Sequence, residues 1–93
     1  MQTPPYSLSP SAQQLLDYLL TTTKGLQLPR HSHWIAHVDT LDSSIIFTPR
    51  QHQDIKFEMD YTLGVAALLE LVQARKVQMD GFTDTEWTFL LTP

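Results

Sequence analysis

The first apolar pattern in the chain is helical and has a defined start. Ser9 can accept a hydrogen bond from a free amide of the first turn, and Pro10 suits the first helical position because its missing N–H would have no partner there. Apolar residues then recur three and four positions apart, at Ala12, Leu15, Leu16, Leu19 and Leu20. Gly25 favours a helix end. These features predict an amphipathic N-terminal helix that ends at Gly25.

The next segment fits two periodicities. Residues 33–41 can place apolar side chains on one side of a helix capped by Ser32, at Trp34, Ile35, Val38 and Leu41. The same segment alternates as a strand does at Trp34, Ala36 and Val38, and it carries β-branched residues. The pattern favours the helix slightly, with the strand as the alternative.

A short central hairpin is predicted next. Residues 44–48 have the composition of a short strand, and residues 55–60 alternate between apolar and charged positions, as a half-buried strand does. A polar loop at residues 49–53 separates them. We therefore expect the two strands to pair with each other.

The last third of the chain predicts a long helix followed by a hairpin. Residues 61–77 form an apolar helical run that Asp60 or Thr62 can cap. Its main apolar stripe is Tyr61, Val65, Leu68, Leu69 and Val72, and it is widened by Ala66, Leu71 and Ala74. Two strand-like pieces around Gly81 predict a C-terminal hairpin that places Val77 and Met79 against Trp87, Phe89 and Leu91.

Together these elements predict one small α+β domain over residues 9–93, preceded by a flexible arm at residues 1–8. The expected order is an N-terminal helix, a short central hairpin, a long amphipathic helix and a C-terminal β-hairpin. The expected core takes apolar residues from every element: Leu16, Leu19, Trp34, Val38, Ile46, Phe57, Leu68, Val72, Trp87 and Phe89.

The outer elements resemble those of winged-helix regulators. Residues 9–20 look like the first helix of that fold and residues 66–91 like its recognition helix and wing, so the resemblance covers under half of the chain. It rests on apolar spacing, and it implies a winged-helix-like fold that recognises DNA or protein. Residues 26–60 depart from the helix-turn-helix pattern, and the predicted wing at residues 80–86 is acidic. No functional residue is transferred from that family.

Composition narrows the function classes. The chain has no cysteine, which excludes disulfides and cysteine-based zinc sites and fits a reducing cytoplasm. Its longest apolar run, residues 65–69, is far shorter than the roughly 20 residues that span a bilayer, so no membrane partner is expected. The net charge of −4 disfavours nucleic acid, because affinity for phosphate comes mainly from cations.

No catalytic, cofactor or metal site is predicted. The glycines form no phosphate-binding pattern, and the GxSxG nucleophile motif does not occur. His31, His33 and His37 cluster around Trp34, and in a helix the last two would have the i, i+4 spacing that chelates zinc. A histidine metal sensor is therefore a third hypothesis. Its alternatives are solvated histidines that flank a buried tryptophan, or a pH-sensitive surface.

The favoured function is a non-catalytic, cytoplasmic adaptor or regulator that binds another protein. Phe82 lies in an otherwise polar turn and Tyr6 in the proline-flanked arm, and exposed aromatic residues are typical interface anchors. The alternative for both is contact with their own domain. Leu63 and Leu71, on the helix side opposite Leu68, form the candidate surface for a homodimer.

The alternative function is a winged-helix-like, DNA-binding transcriptional regulator. Its phosphate contacts would be Arg50, Arg75 and Lys76. The first turns of the predicted reading helix contain no Arg, Lys, Asn or Gln that could read base edges, which counts against this function.

Overall fold

The computed structural model describes residues 8–29 and 31–92 and contains two helices and five strands. In chain order the elements are α1 (Pro10–Gly25), β1 (His33–Asp39), β2 (Ser44–Pro49), β3 (Phe57–Asp60), α2 (Tyr61–Gln73), β4 (Val77–Phe82) and β5 (Glu86–Leu91). The predicted α+β class is confirmed, as are the N-terminal helix, the central hairpin, the second helix and the C-terminal hairpin. No described helix is long and apolar enough to cross a bilayer.

The five strands form one antiparallel sheet in the order β3-β2-β1-β5-β4. The central hairpin therefore continues through β1 into the C-terminal hairpin. In the latter, Val77 is opposite Leu91 and Met79 is opposite Phe89, as the alternation predicts. A bulge between Met79 and Gly81 shifts the register before Phe82.

Both helices contribute to a core on one face of the sheet. Alternate strand residues point to that face, and Trp34, Phe47 and Phe89 are buried there beside Leu15 and Leu68. The Trp34 and Phe89 rings stack at 6.5 Å, and Phe47 meets Phe89 edge-on at 6.2 Å. The intervening strand residues, among them Ile35, Ile46 and Leu90, point to the opposite, open face.

The start of α1 is held by hydrogen bonds within α1 and to α2. The Ser9 hydroxyl accepts a hydrogen bond from the Ala12 amide at 3.2 Å, which confirms the predicted cap. The same hydroxyl donates to Glu70 of α2 at 2.8 Å, and the Ser9 amide donates to that carboxylate at 3.1 Å. The cap therefore also ties the two helices together.

The helix favoured for residues 33–41 is wrong. Residues 33–39 form β1, the central strand, which pairs with β2 on one side and with β5 on the other. The alternation of Trp34, Ala36 and Val38 decides the structure, because it places Trp34 and Ala36 in the core. Neighbouring strands supply the backbone partners on both sides, a tertiary effect that local periodicity does not contain.

The predicted apolar stripe of α2 is rotated from the observed one. The buried positions are Gly64, Ala67, Leu68 and Leu71, while Tyr61 and Leu69 are exposed. Leu71 therefore cannot contribute to the predicted homodimer surface, because that side chain lies fully inside the core. The pattern also places Ile46 in the core, but its neighbours Ile45 and Phe47 occupy the core instead.

The resemblance to winged-helix regulators is not confirmed. The helix that would read DNA lies against β2, β3 and β4, and the chain between the helices forms three strands of the sheet. The second helix of a helix-turn-helix has no counterpart among the described elements.

Candidate functional site

Three chain connections meet at one end of the sheet. They are the β1–β2 turn at residues 40–43, the junction of β3 with α2 at Asp60, and the β4–β5 turn at residues 83–85. The Tyr61 amide donates to the Ser43 carbonyl at 2.9 Å, and the Val38 amide donates to the Thr85 carbonyl at 2.9 Å. These two hydrogen bonds hold the connections side by side, and we refer to this region as the turn end.

Large apolar side chains are exposed at the turn end. Leu41 in the β1–β2 turn is 94% exposed, and Phe82 beside the β4–β5 turn is 77% exposed. Tyr61 and Leu63, in the first turn of α2, are 40% and 54% exposed. Single exposed apolar residues are common on protein surfaces, but four in adjoining connections form a patch of the kind found at interaction sites.

A hollow of about 390 Å³ lies at the turn end, and Tyr61 is the residue that it shares with the four exposed side chains. Val38, Tyr61 and Trp87 give it apolar walls, and Asp39 and Asp84 contribute carboxylates to its lining. Because Phe82 is opposite Trp87 in the β4–β5 register, its side chain points to the same face of the sheet. The hollow and the exposed aromatic ring therefore belong to one surface.

The carboxylates of the turn end have no cationic partner among the described residues. Asp39 accepts hydrogen bonds from the amides of Leu41 and Asp42, at 3.0 and 3.3 Å. Asp60 caps α2 by accepting from the amides of Thr62 and Leu63, at 3.1 and 3.3 Å. The salt bridges found in residues 8–29 and 31–92 involve other acids, Asp80 and Glu86, each paired with a histidine.

The described cations lie at the opposite end of the sheet, which we call the loop end. Arg50 follows β2, Lys56 precedes β3, and Arg75 and Lys76 connect α2 to β4. Lys24 is in the last turn of α1, whose continuation at Leu28 lines a cleft shared with Arg50. The lysines and arginines among the described residues are therefore confined to the loop end, whereas acidic residues occur at both ends.

The predicted protein-binding residues have three different outcomes. Phe82 and Leu63 are exposed and lie at the turn end, as a binding role requires. Leu71 is buried and cannot contact a partner. Tyr6 lies outside the described residues.

The three cations of the DNA-binding alternative lie at the same end of the sheet. Arg50, Arg75 and Lys76 are all exposed and all belong to the loop end. The acidic segment predicted as a wing forms the tip of the β4–β5 hairpin at the turn end. A surface that binds phosphate would therefore use the loop end and exclude the hairpin tip.

The histidines predicted as a chelating pair are separated by the strand. Positions 33 and 37 lie about 13 Å apart along β1, because each strand residue advances the chain by about 3.3 Å. His33 Nε2 lies 2.5 Å from Asp80 Oδ2, and His37 Nδ1 lies 3.5 Å from Glu86 Oε2. Within the described ranges, no three His, Cys, Asp or Glu side chains converge as metal ligands do.

A second cleft, of about 570 Å³, lies at the loop end. Six of its nine lining residues are polar or charged, and the lining comprises Leu28, Pro29, His31, Ser32, His33, Pro49, Arg50, Gln51 and Gln53. His33 contributes to it while also contacting Asp80. An oriented histidine beside a cleft could act as a general base, but no described nucleophile is hydrogen-bonded to it.

In comparisons with known proteins, no family model, curated protein or solved structure matches this chain.

Sequence reasoning missed most of the turn end. The apolar pattern places Leu41 on the apolar side of a predicted helix and Tyr61 in the stripe of α2. One signal could have identified the first of them: Asp39-Thr40-Leu41-Asp42-Ser43 is a polar turn sequence with one leucine at its centre. It parallels the polar β4–β5 turn beside Phe82.

Proposed function

We propose that this protein is a non-catalytic adaptor or regulator that binds another protein through its turn end. The observation that carries the proposal is the exposure of Leu41 in one turn and of Phe82 beside another, since backbone hydrogen bonds hold these two turns next to the Tyr61 hollow. Because the chain has no cysteine and needs no oxidising compartment, we place its action in the cytoplasm.

The exposed side chains of the turn end contribute little to the fold. Phe82 is outside the core cluster and Leu41 is almost fully solvated. Leaving a large apolar side chain in water forgoes about 1.5–3 kcal/mol that burial would provide. A partner that covers these residues would recover part of that free energy, and aromatic residues are frequent hot spots of such interfaces.

The test compares Phe82→Ala with a matched exposed leucine elsewhere. Leu20, on α1, is 51% exposed and lies beside Arg75 and Lys76 at the loop end. We expect Phe82→Ala to leave the free energy of unfolding within about 0.5 kcal/mol of the parent, as surface substitutions usually do. It should remove the partner from the proteins captured from the native extract, whereas Leu20→Ala should retain it. Identical captured sets for all three proteins would contradict the proposal.

A second candidate is a DNA-binding regulator that uses the loop end. What favours it is the collection of Arg50, Arg75 and Lys76 at one end, away from the uncompensated aspartates. Such a protein would bind labelled random-sequence duplex DNA at low salt and lose affinity as salt rises. Arg75→Glu with Lys76→Glu should abolish that binding. Unchanged anisotropy at low salt would exclude this candidate in favour of the first.

A further inference from the structure

We infer that the partner of the turn end is a cationic amphipathic segment, in which lysine or arginine side chains alternate with apolar ones. This inference rests on the proposed binding function and names the chemistry of its partner. Two features of the turn end support it: the apolar hollow and the surrounding carboxylates, which form no salt bridge among the described residues.

The hollow and its neighbouring side chains indicate that the partner segment has apolar residues. Val38, Tyr61 and Trp87 offer a concave apolar surface of a size typical of binding pockets, which usually span about 300–1,000 Å³. Leu41 and Phe82 project from the adjoining turns. An apolar side chain of the partner can enter the hollow while its neighbours pack on these two residues.

The distribution of charge indicates that the partner segment is also cationic. Asp39, Asp42, Asp60 and Asp84 lie in the turns and cap of this end, and among the described residues none forms a salt bridge. Their fields add at the hollow because the described cations occupy the loop end. These four carboxylates would attract lysine or arginine side chains of the partner. They would repel an acidic segment or a phosphate backbone.

A second copy of this chain is a poorer occupant. Its cationic loop end could approach the turn end, but such a head-to-tail contact is not that of a twofold-symmetric dimer. It would assemble copies into rings or open chains at high concentration. A cationic segment of a different protein would pair with the same aspartates without causing this protein to self-assemble.

The experiment uses the full chain and three labelled synthetic peptides of equal length. The first alternates lysine and leucine, the second replaces each lysine by glutamate, and the third replaces each leucine by serine. Fluorescence anisotropy should show binding of the lysine–leucine peptide. The other two should bind at least about tenfold more weakly, because each lacks one half of the complementarity.

Two charge-matched double variants locate the binding. Asp42→Asn with Asp84→Asn removes two carboxylates from the turn end, and Asp17→Asn with Asp54→Asn removes two from α1 and the β2–β3 loop. Exposed ion pairs each contribute little, so the first variant should weaken binding by about two- to fivefold per charge. The second should change it by less than about twofold, since distant exposed charges are screened.

The outcomes distinguish failure of this inference from failure of the proposed binding function. Equal weakening by both double variants would show attraction to net charge alone and would overturn the inference. Binding of the glutamate–leucine peptide, if lost in Phe82→Ala, would overturn it while supporting a binding function at the turn end. Absence of binding by every peptide would also overturn it, and the extract experiment would then judge the proposed function alone. A solution mass that rises with concentration and falls in Asp42→Asn with Asp84→Asn would assign the surface to a second copy instead.

Discussion

Gly64 is a single residue that sets how α2 lies on the sheet. A Cβ built at this position would overlap Ile45 Cγ2 of β2 and would lie 3.3 Å from Met59 Cβ of β3. Glycine within a helix is unfavourable by about 1 kcal/mol relative to alanine, so helix propensity alone disfavours it. The close contact with Ile45 explains its presence.

Gly64→Ala should therefore destabilise the protein despite its better helix propensity. Ile45 is fully buried and cannot move without disturbing the core, and overpacking of that kind costs about 1–3 kcal/mol. Urea unfolding should show a lower midpoint. Gly25→Ala is the matched control, because nothing lies within 4 Å of a Cβ at that position. If both variants unfold at the parent midpoint, α2 does not approach β2 as described.

Tyr18 presents a polar atom to an aromatic part of the core. Its ring stacks on Phe57 at 4.6 Å and meets Trp34 edge-on at 5.9 Å. The hydroxyl is buried and forms no hydrogen bond of normal geometry. Burial raises the pKa of the Tyr18 phenol above its usual value of 10.0, and the nearby Thr22 side chain opposes this shift only in part.

Tyr18→Phe should keep both aromatic contacts and remove the buried hydroxyl. At neutral pH we expect stability to be unchanged or higher by up to about 1 kcal/mol, because an unsatisfied group is lost. Above about pH 10 the unfolded parent ionises Tyr18 before the folded parent does, so the parent loses stability as pH rises. The variant should lack that loss. Parallel curves of unfolding free energy against pH would show that Tyr18 does not contribute it.

At the scale of elements, one cap adds hydrogen bonds to the core packing that joins α1 to α2. Ser9→Ala should cost about 1 kcal/mol, within the usual range for a helix N-cap, because the hydroxyl loses its hydrogen bonds to Ala12 and Glu70 while the backbone amide keeps its own to Glu70. Glu70→Gln should cost less, and the double variant should cost less than the sum. Urea unfolding of the four proteins measures this coupling.

Gln13→Ala is the control for the cap, because it removes an exposed side-chain pair with Asp17 from the same helix. Its effect should stay within about 0.5 kcal/mol. Strict additivity of Ser9→Ala and Glu70→Gln would mean that the cap and the interhelical contact are independent, contrary to the geometry.

The elements that the sequence predicts correctly are those whose signals are local. Ser9, Pro10 and Gly25 mark both ends of α1, and Asp60 marks the start of α2. β1 could not be assigned in the same way, because its structure depends on partners elsewhere in the chain. Glu70, which completes the α1 cap, is 61 residues from Ser9, so no local motif indicates it.

The candidate site was predictable only in part for the same reason. Phe82 stands out as an aromatic residue in a polar turn, and that signal is local. Its association with Leu41, Tyr61 and the unpaired aspartates depends on the strand order, which brings three connections to one end. The helix favoured for residues 33–41 would have placed Leu41 within an element and concealed this association.

At the scale of the whole molecule, β1 unites the two halves of the chain. It pairs with β2 from the central hairpin and with β5 from the C-terminal hairpin, while β3 and β4 form the sheet edges. Trp34 and Ala36 of β1 are buried in the shared core. Opening β1 therefore disrupts the entire sheet, whereas an edge strand can separate with β1 still paired.

This arrangement predicts an order of hydrogen-exchange protection among the strands. Hydrogen-bonded amides of β1 should exchange only through global unfolding, and those of β3 should exchange faster through local opening, since β3 has four residues and one neighbour. Destabilising the protein with low urea should accelerate β1 amides with the full denaturant dependence of unfolding, and β3 amides with a smaller one. Comparing only amides bonded to a neighbouring strand controls for outward-facing groups. Equal protection of β1 and β3 at all urea concentrations would show that the sheet opens only as a unit, and β1 would then have no special role in uniting its halves.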